Sequence, residues 1–209
     1  AADVDLKIKA LACNPHFPRP GDAALPASKP DRTPRVAKPE QSIPKRDSDT
    51  AYVLLEFCCS KDSKLSSERY AKWGDKHVAR IRLTEDQDMT SSEGLKYALD
   101  ALAEYPPNTP VFLWGSLPCT AGSRWQQVNR FQSKNFAQRM NYLMSQFKKL
   151  FRNFMTLATE VNLRGGGGIV FEWPSYCALW HNRNIIRMVK KFGLELVKLN
   201  GCMVGLRSS

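Results

Sequence analysis

From Asn135 to Leu163 large apolar side chains recur at steps of three and four: Phe136, Met140, Leu143, Phe147, Phe151, Phe154, Ala158 and Val161. Met144, Leu150 and Leu157 widen the stripe, while Arg139, Lys148, Lys149 and Arg152 fall mostly off it. This period predicts one long amphipathic helix with its apolar face in the core. A helix of that length needs a broad apolar surface to lie on. The rest of the chain supplies strands of buried type: Ala51–Phe57, Val111–Trp114 and Ile169–Glu172. His77–Thr84 alternates in polarity and reads as a fourth strand.

Helical segments separate these strands. Ser63 is placed to cap a helix carrying Leu65, Tyr70 and Trp73. Ser91 or Ser92 caps another, with Leu95, Leu99 and Leu102 at helical spacing, and Pro106, Pro107 and Pro110 stop it. Gly165 to Gly168 end the long helix. A helix from about Trp180 to Phe192 leads to a strand at Gly193–Leu199, a hairpin-type turn at Asn200-Gly201 and a returning strand at Cys202–Gly205. Alternation of this kind after residue 50 predicts a three-layer α/β domain over 50–209 with a mostly parallel sheet.

Residues 1–49 are different. Val4, Leu6 and Ile8 alternate with charged residues, which suits a short edge strand within 3–13. Between Asn14 and Arg46 lie eight of the thirteen prolines and almost no large apolar side chains. Such a segment buries too little surface to offset its ordering entropy and reads as an extended, basic, proline-rich arm. Its Arg32, Arg35, Lys38, Lys45 and Arg46 suit a phosphate backbone or, over 14–46, a protein assembly.

Formal net charge is +11, from 31 basic and 20 acidic residues. An excess of that size favours a polyanion, nucleic acid above all. The six cysteines are irregularly spaced and form no C-x-x-C pair, which argues against a secreted disulfide framework and for a reducing, intracellular compartment, the nucleus or another that holds nucleic acid. Cys177 and His181 stand four apart without a second ligand pair, so no metal site is expected. No apolar run has membrane length and no signal peptide is evident. The chain starts at Ala1 rather than Met, as a piece of a longer protein would.

Three strand ends carry reactive or polar groups in a fixed order. Leu55-Glu56-Phe57-Cys58-Cys59-Ser60 comes first, Leu117-Pro118-Cys119-Thr120 second and Phe171-Glu172-Trp173 third. In this order they resemble motifs of the cytosine-C5 DNA methyltransferase family: an Asp-x-Phe-x-Gly-type turn, a Pro-Cys nucleophile and a strand ending in Glu-Asn-Val. Leu196 to Gly205 resembles that family's later strand pair. The resemblance spans about residues 51–206 and implies a Rossmann-like, S-adenosylmethionine-dependent methyltransferase domain acting on nucleic acid. By this resemblance Cys119 is the nucleophile and Glu172 the partner of the base N3. Arg124, in the same loop, is the nearest electropositive help for the thiol. Glu56, Phe57, Cys58, Ser60 and Pro118 would surround the cofactor, and Glu85 or Asp86 would hold its ribose hydroxyls. Trp125 or Trp173 would stack on an extruded base. Arg139, Lys148, Lys149 and Arg152 are the helix-borne contacts to nucleic acid.

Departures from the pattern support a second reading. The turn Cys58 to Lys64 holds none of the glycines that let a backbone approach a cofactor, and Glu-Asn-Val has become Glu-Trp-Pro. Between the first turn and the strand that leads into Cys119 there is one strand where the family has two, and the chain ends where a Gln-x-Arg-x-Arg segment and a target-recognition domain would follow. The second reading is a methyltransferase-derived binding scaffold without catalysis, contacting nucleic acid or an assembly through its basic surface and arm. A third, a thiol enzyme pairing Cys119 with His77 or His181, has no telling histidine context.

Overall fold

A computed structural model of the protein describes residues 9–13, 50–66, 71–132 and 134–199. Its centre is a five-stranded sheet in the order β3-β4-β2-β5-β6. The strands are β2 (Thr50–Phe57), β3 (Lys72–Trp73), β4 (Lys76–Leu83), β5 (Val111–Gly115) and β6 (Gly168–Phe171). β4, β2, β5 and β6 are all parallel, and the two-residue β3 pairs antiparallel at the edge. Further pairing joins β1 (Lys9–Cys13) in parallel to β7 (Glu195–Leu199), with Lys9 opposite Glu195. The domain is therefore mixed α/β with a parallel sheet, as its strand–helix alternation predicts.

Register sets one face. Leu55 stands opposite Ile81 and Leu113, and Phe57 opposite Leu83 and Gly115, which in turn faces Phe171. All of these side chains are buried. The helix α1 (Ser92–Ala103) and the long α3 (Phe136–Arg164) pack on this face. Ser91 caps α1, its hydroxyl accepting from the Gly94 N–H at 3.0 Å. The helix α4 (Arg183–Phe192) lies beside α3, where the Lys191 ammonium donates to the Thr159 hydroxyl at 3.0 Å. The short α2 (Trp125–Gln132) sits past the carboxyl end of β5, against a 3-10 turn at Thr120–Gly122. Across the sheet, Leu54, Trp114 and Val170 point the other way and are only half-buried. Among the described residues the helices packed on the sheet form one layer.

Two expectations change. Of the helix expected to carry Leu65, Tyr70 and Trp73, residues 67–70 lie outside the described residues, and the described ends are not helical. Lys64–Ser66 is a single 3-10 turn, and Trp73 belongs to β3, which returns through Gly74 in the left-handed region to start β4. The reason lies in Ser63, whose hydroxyl donates to buried Glu56 instead of capping a helix. The apolar stripe of α3 is also core only along its second part. Phe147, Leu150, Phe151, Phe154, Leu157, Ala158 and Val161 are buried, whereas Phe136, Met140, Leu143 and Met144 are half-buried. The first turns of α3 project past the sheet.

Lys9–Cys13, within the expected 3–13, is a strand, while Val4, Leu6 and Ile8, on which that expectation rested, lie outside the described residues. The arm at 14–49 and the returning strand at 202–205 lie outside the described residues. Among the described residues no helix is long and apolar enough to cross a membrane.

The buried face predicts a specific weakness. Phe154 is fully buried, edge-on to Phe57 and to Phe171 with ring centroids 5.4 Å away in each case. Phe154→Ala should cost about 3–5 kcal/mol in urea unfolding, while Lys148→Ala, on the exposed side of the same helix, should stay within about 0.5 kcal/mol.

Candidate functional site

Parallel strands end together, so three loops leave the sheet at one edge. Backbone bonds continue the ladders into each loop. The Cys59 N–H donates to the Leu83 carbonyl at 3.2 Å, that of Ser116 to Phe57 at 3.0 Å, and that of Glu172 to Gly115 at 3.0 Å. The turn at Cys58, the loop of Cys119 and the loop after Phe171 therefore start as neighbours. This brings Glu56, Ser116 and Glu172 together at the carboxyl edge. The chain also reverses direction across the sheet between β2 and β5, since β4 lies on one side of β2 and β5 on the other. Ligands of open α/β sheets bind at such switch points.

Glu56 is 1% exposed, and the Ser63 hydroxyl donates to it. Burial is the main cause that raises its carboxyl above the ordinary value; Ser63, Arg82 and Arg80 oppose the rise, and the nearby Glu172 adds to it. Glu172 is half-buried and accepts from the Ser116 hydroxyl. Next to it Trp173 is 2% exposed and donates its ring N–H to the Leu117 carbonyl at 2.6 Å. Phe147, Phe171 and Trp180 surround its ring. Trp173 thus staples the two loops and is not placed to stack on a base.

The residues expected around a cofactor, Glu56, Phe57, Cys58, Ser60, Glu85 and Asp86, do gather at the ends of β2 and β4. They are tied to one another. Cys58 takes a left-handed backbone with φ of 60°, and burial pushes its thiol up to about 12. The Arg82 guanidinium donates to the Ser60 carbonyl at 2.7 Å and also to the Lys61 carbonyl. The Lys61 ammonium lies 3.1 Å from Asp86 and 3.9 Å from Glu85. The Lys61 side chain reaches from the turn to the acids at the end of β4, where Glu85 stays largely exposed. Pro118 belongs to the neighbouring loop and is exposed.

Cys119 is half-buried, and its carbonyl accepts from the Gly122 N–H at 2.9 Å. Burial raises its thiol above the ordinary range, and Arg124 is not among the groups that lower it. Arg124 is directed elsewhere: its guanidinium lies 4.9 Å from the centroid of the Tyr176 ring, a cation–π distance. Close by, burial pushes the Cys177 thiol up to about 11, with a smaller contribution from Cys119. Gly122 lets the two loops meet, since a Cβ there would stand 2.7 Å from both the Cys177 sulfur and the Leu179 Cγ.

Between α2, the first turn of α3 and the loop after β6 lies a cleft of about 580 Å³. Its walls include Arg124, Gln127, Arg130, Phe136, Tyr176 and His181, and none of its lining residues is Asp or Glu. Sequence reading missed both the cleft and α2. A usable signal existed: Tyr105 to Thr159 contains seven Lys or Arg and no acid. Over residues 105–194 the count is twelve basic to two acidic, Glu160 and Glu172, a balance of +10. Most of the chain's charge excess therefore lies in the segment that carries β5, α2, α3, β6 and α4.

The expected nucleic-acid contacts are exposed: Trp125 on α2 at 47%, and Arg139, Lys148, Lys149 and Arg152 on α3. They do not form one patch. Lys148, Lys149 and Arg152 share a side of α3, whereas Arg139, nine residues before Lys148, is about half a turn round. Among the described residues no three His, Cys, Asp or Glu side chains group to hold a metal ion. No protein-family model, curated protein or solved structure matches the chain.

Two measurements check these electrostatics. At pH 7.5 Cys119 and Cys177 should react with iodoacetamide more slowly than free cysteine, read by peptide mass spectrometry; labelling of Cys119 faster than free cysteine would mark an activated thiolate. For Glu56, a raised carboxyl favours folding while protonated and opposes it once ionised. Glu56→Gln should match the wild type in stability below about pH 4.5, the ordinary value, and become the more stable protein as pH rises through the folded value. Urea midpoints from pH 4 to 8 read the crossover.

Proposed function

We propose that this chain is a nucleic-acid-binding domain of Rossmann-like, methyltransferase-type architecture that works without S-adenosylmethionine. The observation that carries the reading is the separation of charge: residues 105–194, which carry β5, α2, α3, β6 and α4, hold a balance of +10. A surface of this kind binds phosphates by releasing their counterions, with little need for base-specific contacts. The strand order around the switch point between β2 and β5 supports the Rossmann-like assignment.

The residues at the ends of β2 and β4 do not fit the cofactor. A cradle for it needs open backbone and two carboxylates ready for ribose hydroxyls. Here the turn carries Cys58 in a left-handed conformation, and Lys61 bridges to the very acids, Glu85 and Asp86, that would be required. The catalytic reading retains one observation: Glu172, oriented by Ser116, stands on the same edge as the loop of Cys119. The raised thiol weighs against it.

Two titrations test the proposal. S-adenosylmethionine and S-adenosylhomocysteine should give no heat and no thermal shift, although a ligand at a hundred times its Kd would add about 2.7 kcal/mol. A shift that disappears in Glu85→Ala and Asp86→Ala would return the methyltransferase reading. Binding to a labelled oligonucleotide should weaken steeply with salt. Replacing Lys148, Lys149 and Arg152 together by alanine should lower the slope of log K against log salt by roughly two to three. Absence of binding at low salt would sink the nucleic-acid reading.

A further inference from the structure

The cleft between α2 and the loop after β6 has the chemistry of a site for one flat ring attached to one phosphate. Two of its walls carry Arg124 and Arg130 at α2 and His181 in the loop after β6, and no acid lines it. Tyr176 is 50% exposed at its mouth, and Arg124 lies over its ring. Half-buried Phe136 supplies apolar wall, and Gln127 and Ser175 offer hydrogen-bonding groups suited to a base edge. At about 580 Å³ the cleft lies within the ordinary range for a small ligand and is too narrow for a duplex, whose bases are stacked on one another and out of reach of a ring set into a cleft.

We infer that this cleft takes an unpaired nucleotide of a single strand, the base on the Tyr176 ring and a neighbouring phosphate between Arg124 and Arg130. This rests on the nucleic-acid reading above and adds a preference to it: single strand over duplex. Stacking on tyrosine tolerates any base, because every base has a π-face, so the preference is for strandedness rather than sequence. Arg124 serves both parts, holding one side of the Tyr176 ring while its charge faces the phosphate. The exposed lysines of α3 add phosphate contacts that single and double strands share.

Fluorescence anisotropy with a labelled twelve-nucleotide single strand, and with the same strand annealed to its complement, tests the inference. The single strand should bind about tenfold tighter or more. Tyr176→Ala should reduce single-strand binding about tenfold and leave duplex binding unchanged, while Lys148→Ala weakens both alike. Tyr176 is exposed, so the variant should melt like the wild type; should it melt lower, Arg130→Ala on the exposed side of α2 replaces it with the same expectation. Equal binding of both strands, or a preference untouched by Tyr176→Ala and Arg130→Ala, overturns the inference and leaves the nucleic-acid reading standing. No binding of either strand overturns the reading beneath it. A thermal shift with a nucleoside monophosphate alone, without strand preference, would make the cleft a free-nucleotide site and overturn the inference as well.

Discussion

Phe154 rests directly on the backbone of β5 because residue 115 is glycine. A Cβ there would come within 2.5 Å of the Phe154 ring and 3.2 Å of the Phe171 ring. The missing side chain lets α3 settle at the level where β2, β5 and β6 end, with Phe57 and Phe171 edge-on to the same ring. One residue earlier, Asn153 is buried and donates its amide to the carbonyls of Met89 and Ser91, both at 2.9 Å. That pair of bonds fixes the start of α1 to the middle of α3. A buried amide with both protons satisfied holds position more sharply than an apolar contact of similar size, because losing either partner leaves a desolvated donor. The site loops inherit their placement from this junction.

The two halves of the carboxyl edge then differ in how their polar groups are used. On the β2–β4 side several polar groups answer others within the protein: Arg82 the turn carbonyls, Lys61 the two acids, Ser63 the buried Glu56. Desolvation raises Glu56, Cys58 and Cys59 together, as a dry corner should. On the β5–β6 side Arg124, Arg130 and His181 line an open cleft without an acid. A binding surface needs charges that retain capacity for a ligand, and that condition separates the two halves more clearly than any single residue does.

Much of this was legible in the sequence. The strands, α1 and α3 follow from period and capping, because their apolar faces do meet the core and Ser91 does cap α1. The order of motifs placed Glu56, Ser116 to Cys119 and Glu172 at one edge. Other features were hidden for physical reasons. Ser63 carries the same cap signal as Ser91, but Glu56, seven residues away in sequence, takes its hydroxyl. α2 escaped notice because its large apolar residues, Trp125, Val128 and Phe131, are exposed, Phe131 at 87%, and so do not report a buried face. The periodicity of α3 runs through its whole length, yet its first turns leave the sheet and Phe136 becomes a wall of the cleft. Arg124 looked like help for Cys119 by adjacency in sequence; ring geometry gave it to Tyr176.

The one-sided placement of the helices follows from the order of the strands. Parallel connections in a sheet keep one hand, so crossovers that progress in one direction lie on one face. From β4 through β5 and β6 the chain always moves the same way across the sheet, and α1 and α3 are the elements that carry it. The step from β2 to β4 goes the opposite way, and among the described residues it contains only a 3-10 turn and the short β3. The turn at Cys58 is held by Arg82 of β4 and by Lys61 of its own loop. These ties occupy the polar groups of the β2–β4 corner, and they leave the other half of the edge, braced by α3, as the part of the fold better able to receive a ligand.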